Sequence, residues 1–322
     1  MGEGVFEGLS LDTLWLMIPF CSQYDYSTHP VWGQFGTVFP DGECEYNFAN
    51  LGGDKLWSNP DNWADGEVPG EGAQVGIMSD CVIDTVVTVS SITIGSYYDD
   101  EYGYYERLTL KDSATLTATS YIYNTGDERN FIIEDGAQVV HPNTGAEATV
   151  KKAITAYSTQ SGVNNGWHLI ALPLTGSIDV DSVGNMIEGE YDLYAYDEST
   201  AYWKNSKNTE NSFAALEATK GYLYGNSAEV TLEFSGTLQN SSDTISVPLS
   251  YTTVAHLKGF NLVGNPFPCE AYLDRPYYVL GANGTGINPE AIPSTVPIPP
   301  CTAVFVKALS EGDSAVFTRV AP

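Results

Sequence analysis

The densest run of chemistry-bearing side chains is Tyr97-Tyr98-Asp99-Asp100-Glu101-Tyr102-Gly103-Tyr104-Tyr105. Tyrosine rings offer rigid, amphipathic contact area at low entropic cost. Tyr97, Tyr98, Tyr102, Tyr104 and Tyr105 are therefore candidates for stacking on a sugar or a protein partner. Asp99, Asp100 and Glu101 are hard oxygen donors of the kind calcium takes. The opposing reading makes the loop a lid whose rings cover a core. Asp179-Val180-Asp181 alternates carboxylates on one face of a predicted strand and is a second calcium candidate. Asp61, Asp65 and Glu67 cluster in a turn-rich segment. None of these has the ligand spacing of an EF-hand, so calcium is a ligand the chain could take rather than a cofactor it requires.

Catalytic signatures are missing: there is no Gly-x-Ser-x-Gly elbow, no His-Glu-x-x-His and no phosphate loop. The histidines, His29, His141, His168 and His256, are scattered. His168 lies between Trp167 and Leu169 on a predicted strand and reads as a packed or rim residue rather than a base. A glycosidase needs two carboxylates facing each other across a sugar, and in so acidic a chain no particular pair stands out. We expect no enzyme and assign no catalytic residue.

The charge is one-sided, with 41 acidic against 13 basic residues and a net charge of −28. Nucleic acid is excluded as a partner, because phosphate binding needs clustered Lys and Arg; an anionic membrane surface is disfavoured for the same reason. The apolar run Leu14–Cys21 is too short to span a membrane and reads as an ordinary buried strand over 13–20. No transmembrane segment is expected. The flank of Glu3 and Glu7 lacks the basic character of a secretory signal, so the chain reads as a fragment or mature portion of something longer, with its export signal elsewhere. Of five cysteines, Cys269 and Cys301 could pair, and so could Cys21 and Cys44, leaving Cys81 alone; sequence does not choose.

Positioning these groups falls to a scaffold of strands. Gly166-Trp167-His168-Leu169-Ile170-Ala171-Leu172-Pro173 returns as Gly259-Phe260-Asn261-Leu262-Val263-Gly264-Asn265-Pro266. Each copy is followed by an aromatic strand (Gly221-Tyr222-Leu223-Tyr224; Ala303-Val304-Phe305-Val306) and then by a further short strand. A repeat this long marks a structural unit. Many short strands separated by turn residues predict an antiparallel sandwich over 156–322, with copies at 166–238 and 259–322. Upstream, 55–155 breaks into short strands at 81–84, 86–89, 92–94, 108–110, 115–117, 121–123, 131–133 and 138–140. The near-copied turns Lys111-Asp112-Ser113-Ala114 and Glu134-Asp135-Gly136-Ala137 suggest rungs of a short right-handed parallel β-helix, capped by its neighbours. Residues 1–54 read as an irregular β cap. The fold class is all-β.

The segment Trp57-Ser58-Asn59-Pro60-Asp61-Asn62-Trp63, then Gly66-Glu67-Val68-Pro69-Gly70 and Gln74-Val75-Gly76-Ile77, resembles the opening of β-helical modules in Bacteroidetes-type secreted surface proteins, and is also similar to G8-type domains. Gly259-Phe260-Asn261-Leu262-Val263-Gly264-Asn265-Pro266-Phe267-Pro268 is similar to a phrase near the C-termini of such proteins. The resemblance implies an extracellular or outer-cell-surface location and a non-catalytic binding or adhesion role, toward a glycan or a host or cell-surface protein. Two alternatives stand beside it: an accessory or catalytic module of a polysaccharide-degrading system, and a structural stalk. Thr13, Thr85, Ser113, Ser182, Thr244 and Ser314 each follow an Asp and precede a small or aliphatic residue. That pattern resembles the O-glycosylation acceptor of exported proteins of this kind, and equally describes turn-to-strand junctions.

Overall fold

A computed structural model describes residues 6–41, 44–95, 106–143, 145–157, 166–210, 213–253, 256–281 and 286–321. The protein is all-β: among the described residues the one α-helix is α1 (Gln23–Thr28), and no helix is long and apolar enough to cross a membrane.

The cap carries β1 (Trp15–Pro19) and β2 (Thr37–Asp41), paired in parallel. The expected buried strand over 13–20 forms only over β1, and it is not buried. Ile18 points inward, whereas Trp15 and Met17 are 75% and 68% exposed; the pleat sends alternate side chains to opposite faces, and among the described residues no second layer covers the outer one. Cys21 and Cys44 form a disulfide that closes the cap. Tyr24 stacks on Tyr121 at 4.6 Å, and the Tyr121 hydroxyl donates to the Cys21 carbonyl, docking the cap on the next module.

That module begins with β3 (Tyr46–Phe48) and β4 (Gln74–Ile77) and continues through β5 (Cys81–Ile83), β6 (Val86–Ile94), β7 (Leu108–Leu110), β8 (Thr115–Asn124), β9 (Phe131–Ile133), β10 (Gln138–Val140) and β11 (Glu147–Ile154). From β4 onward the chain alternates between two sheets, so each strand pairs in parallel with the one two places along. Val75, Ile83, Val89, Leu108, Leu116 and Phe131 are buried in a shared core, as parallel strands require. The strands expected at 86–89 and 92–94 are one strand with a register shift between Val89 and Ser91, which resets which residues face inward. Trp57 and Trp63 are both 1% exposed and meet edge to face at 4.6 Å; the Trp63 indole N–H donates to the Trp57 carbonyl. Their spacing serves packing.

The repeats follow as β12 (Trp167–Ala171), β13 (Ser177–Asp179), β14 (Tyr191–Asp197), β15 (Tyr202–Asn205), β16 (Ala215–Glu217), β17 (Gly221–Asn226) and β18 (Val230–Thr237), then β19 (Ile245–Pro248), β20 (Phe260–Gly264), β21 (Tyr272–Leu273), β22 (Tyr277–Tyr278), β23 (Ala303–Lys307) and β24 (Ser314–Thr318). The first copy orders its main sheet β12-β17-β14-β15; the second orders β20-β23-β22, with β19-β24-β21 beside it. All these pairs are antiparallel. β18 pairs antiparallel with β11, as β24 does with β19. Thus β11 closes the parallel module and opens the first repeat, and its otherwise open edge is covered.

The two copies meet through equivalent contacts. The Ala171 N–H donates to the Cys301 carbonyl at 3.2 Å and the Gly264 N–H to the Thr219 carbonyl at 2.8 Å. Both acceptor residues have positive φ, 55° at Cys301 and 67° at Thr219. Single bridges join Ile170 to Thr302 and Lys220 to Val263. Matching β12 to β20 and β17 to β23 exchanges the members of each pair, so the repeats pack about an internal twofold relation. Gly264 makes the approach possible: a Cβ there would lie 2.6 Å from both the Ala171 Cβ and the Lys220 carbonyl oxygen.

Candidate functional site

The twofold relation leaves a cleft on each side of the junction. The larger, about 440 Å³, is walled by the end of β14, the turn after it, the start of β17, β19 and β20. Tyr196, Asp197, Glu198, Glu217, Lys220 and Asn261 supply its polar groups.

Glu198 is the unusual member. It lies on the β14–β15 turn, where a carboxylate ordinarily faces water, yet it is 4% exposed. The loop between β19 and β20 folds over it. Its Oε1 accepts the Gly259 N–H at 2.7 Å, the Thr252 N–H at 2.9 Å and the Thr252 hydroxyl at 3.2 Å. Its Oε2 has no hydrogen-bond partner. The Tyr196 hydroxyl is buried and likewise unpartnered, while its ring packs edge-on against Trp203 and Phe305, each at 5.3 Å. Burial, then the Glu198 and Asp197 charges, push that hydroxyl up to about 12, so it stays protonated.

The remaining charges of the cleft are engaged. Burial by itself would raise the Asp197 carboxyl, but hydrogen bonds from Lys204, Ser199 and Thr200 outweigh it and hold the group down at about 2. Lys204 reaches Asp197 at 2.7 Å and Lys220 reaches Glu217 at 2.7 Å. Asn261 gives its amide hydrogens to the Ser250 and Gly259 carbonyls and accepts the Ser250 N–H, which fixes the loop over Glu198.

The second cleft, about 330 Å³, lies across the twofold relation and is lined by Lys152, Trp167, His168, Val279 and Leu280 among others. Here His168 stands where Asn261 stands in the first, and Leu280, by the same register, where Tyr196 stands. Burial lowers the His168 pKa, and its Nε2 is 3.1 Å from the Thr155 hydroxyl. Lys152 is held by Asp135 at 3.0 Å. This cleft is the more apolar of the two and its cation is engaged.

The family model described as "Domain of unknown function (DUF8693)" matches residues 51–285. The chain belongs to that family. No curated protein and no solved structure matches it. The DUF8693 match takes in the parallel module from β4, the first repeat, and β19 to β22; every residue lining the larger cleft lies inside it.

Of the residues singled out from sequence, Tyr97, Tyr98, Asp99, Asp100, Glu101, Tyr102, Tyr104 and Tyr105 lie outside the described residues. Asp179 and Asp181 do not share a strand face: β13 ends at Asp179, and Val180–Ser182 is a 3-10 turn. Among the described residues no group of three or more His, Cys, Asp or Glu is placed to hold a metal ion. The Cys269–Cys301 pairing is not made. Both are free, buried thiols, and the disulfide is Cys21–Cys44. Cys269 packs in the second repeat's core, Cys301 in the core shared with the first repeat, and burial pushes each thiol up to about 12. Thr13, Thr85, Ser113, Ser182 and Thr244 are exposed and Ser314 is half-buried. All but Ser182 stand at or just before the start of a strand. Sequence reasoning missed Glu198 and Tyr196; the only sign of them was an acidic turn after an aromatic strand.

Proposed function

We propose that this chain is a non-catalytic binding protein of the extracellular space or outer cell surface, and that a small polar ligand of saccharide size occupies the cleft between its repeats. The make-up of the cleft carries this reading: Asp197, Glu217, Lys220 and Asn261 line it beside Val247, Leu262 and Val263, the combination of apolar surface and a few polar groups that small-ligand sites present. The volume of about 440 Å³ suits a mono- or disaccharide. The parallel module, which we read as a short right-handed β-helix, serves as a rigid base. The Cys21–Cys44 disulfide supports an oxidising compartment, and the resemblance to Bacteroidetes-type surface proteins points the same way.

The presence of Glu198 and Glu217 in one cleft favours a second reading, a catalytic or accessory module of a polysaccharide-degrading system, since glycoside hydrolysis uses a carboxyl pair. One experiment addresses both. The chain is screened against a saccharide panel by binding and by release of reducing ends, beside Glu198→Gln and a Tyr97/Tyr98/Tyr104/Tyr105→Ala variant. Binding lost in Glu198→Gln supports the cleft. Binding lost only in the tyrosine variant moves recognition to the 97–105 segment. Product release favours the catalytic reading, and silence from all proteins favours a protein partner or a stalk.

A further inference from the structure

We infer that the second cleft and a smaller cavity beside it form one trough that takes a neutral, unbranched glycan, one pyranose ring lying against Trp167 and the next turning its hydroxyls to Asp112. This site lies across the twofold relation from the larger cleft and does not depend on that cleft being occupied. The adjoining cavity, about 250 Å³, is walled by Asp112, Asp135, Gly136, Pro299 and Pro300, and it shares Lys152 with the second cleft. The near-copied turns place the two acids. They follow β7 and β9, which pair in parallel with Leu110 opposite Ile133, so the turns stack on successive rungs. Gly136, at φ 85°, makes the close stacking possible, since a Cβ there would run into the Asp112 carboxylate. The walls of the trough therefore come from the parallel module and from both repeats.

The lining groups are within reach of a ligand. Trp167, His168, Leu169, Val279 and Leu280 are each half-exposed. The Trp167 indole is braced in place: Gly225 lies against its six-membered ring, where a Cβ would sit 2.9 Å from Cε3 and Cζ3, and Tyr157 and Tyr194 meet it edge to face at 5.6 and 5.8 Å. Among the described residues its indole N–H has no hydrogen-bond partner and is not one of the buried unpartnered atoms, so it reaches solvent. Asp112 is exposed. The Ser113 hydroxyl donates to its Oδ1, and no described residue donates to its Oδ2. A pyranose has C–H-rich faces for the indole and the aliphatic walls, and a rim of hydroxyls that donate to a carboxylate and accept from an N–H. Lys152 is held by Asp135 at 3.0 Å, so an acidic sugar would meet Asp112 without a free counter-charge, on a chain of net charge −28. An extended peptide would need an open strand edge, and the neighbouring edge of β12 is met by the backbone of Cys301 and Thr302.

Isothermal titration of the full chain with cellotetraose, laminaritetraose, maltotetraose, mannotetraose, their monosaccharides and tetragalacturonate tests this. At least one neutral tetraose should bind about tenfold or more tighter than its own monosaccharide, because a second ring fills the second cavity. Tetragalacturonate should bind weakest. Trp167→Phe, which installs the residue found at the equivalent position 260, should weaken the best tetraose about three- to tenfold through lost stacking area and the lost N–H. Asp112→Ala, at an exposed turn, should weaken it about tenfold, the worth of one charge-assisted hydrogen bond. Amide exchange with the tetraose bound should slow over 111–113, 134–136 and 167–169. Slowing over 196–198 and 247–250 instead would put the sugar in the larger cleft and overturn the trough while supporting that cleft as a site. A tetraose no tighter than its monosaccharide, or one indifferent to both substitutions, would overturn the inference. So would tetragalacturonate as the best ligand, or silence from all four neutral tetraoses.

Discussion

Replacing Glu198 by Ala should destabilise the protein by about 2–5 kcal/mol, and replacing it by Gln by no more than about 1 kcal/mol. The magnitude follows from its three donors. Truncation strands the backbone N–H groups of Gly259 and Thr252, at 2.7 and 2.9 Å from Oε1, around a residue only 4% exposed. Each buried donor left unsatisfied costs about 1–3 kcal/mol; the Thr252 hydroxyl can turn to another acceptor and adds little. Glutamine retains an acceptor oxygen at the same reach and removes an unpaired buried charge, so its losses and gains nearly offset. Denaturant unfolding should show the Ala midpoint lowered with its slope unchanged. Amide exchange should report faster opening at Gly259 and Thr252 specifically, because the loop between β19 and β20 loses its anchor. An Ala variant within about 0.5 kcal/mol of wild type would mean the loop is held by other contacts and Glu198 is not the pin inferred here. A Gln variant as damaged as Ala would mean that the charge, not the acceptor, does the holding.

Gly264→Ala should lower stability by about 1–2 kcal/mol, because overpacking against the Lys220 carbonyl and Ala171 exceeds the entropic gain of removing a glycine; an unchanged melting midpoint would show that the repeats can part. Losing the Cys21–Cys44 disulfide, whose cysteines are 23 residues apart, should cost about 3 kcal/mol, with exchange rising first in the cap; uniform exchange across the chain would contradict the local role. Stability should also fall with acid in two windows. His141 and His168 are held below the ordinary imidazole value, burial being the main cause for both. The unfolded chain therefore takes up protons first, and stability declines as pH drops below about 6.5. Asp313, held down by Arg275, and Asp197, where hydrogen bonds overcome burial, both lie at about 2. Their contribution is full above the ordinary aspartate value and is lost as pH falls toward about 2. An unfolding free energy that is flat between about pH 7 and 5 would remove the histidine contribution.

The repeat was legible because its signature residues are backbone requirements. Gly166 and Gly259 sit at φ 78° and 77°, a conformation that glycine adopts without strain, so both copies had to keep it. The short strands of the parallel module were legible from their alternation of apolar and polar residues between turn residues. Their merging was not, because the register shift after Val89 depends on the neighbouring strand β8. The exposure of Trp15 and Met17 was equally hidden, since local pattern does not tell whether a second layer will cover a strand. Glu198 was the hardest to see. In sequence it is one acid in a turn, and what buries it is a loop 54 to 61 positions away. Of the two pairings the sequence left open, Cys21–Cys44 is made and Cys269–Cys301 is not, because those two thiols of one repeat ended in different cores.

Duplication also accounts for why one of the two clefts is more polar than the other. In the larger, the outer wall is β19, which pairs with β24 of its own copy. In the smaller, the equivalent wall is β11, which belongs at the same time to the parallel module through β9. A strand committed on both edges has little freedom to reshape a cleft, and Lys152 on β11 is tied back to Asp135. The β19 side carries no such second duty, and the loop that leaves it toward β20 is the one that closes over Glu198. If this is why the clefts differ, then exchanging the distinguishing residues should be asymmetric in its effect. Asn261→His should disturb the larger cleft, because Asn261 makes three hydrogen bonds that hold its loop. His168→Asn should leave the fold nearly unchanged, since His168 contributes one contact, to the Thr155 hydroxyl. Equal losses from the two substitutions, measured by unfolding free energy, would mean that both clefts are built to the same purpose.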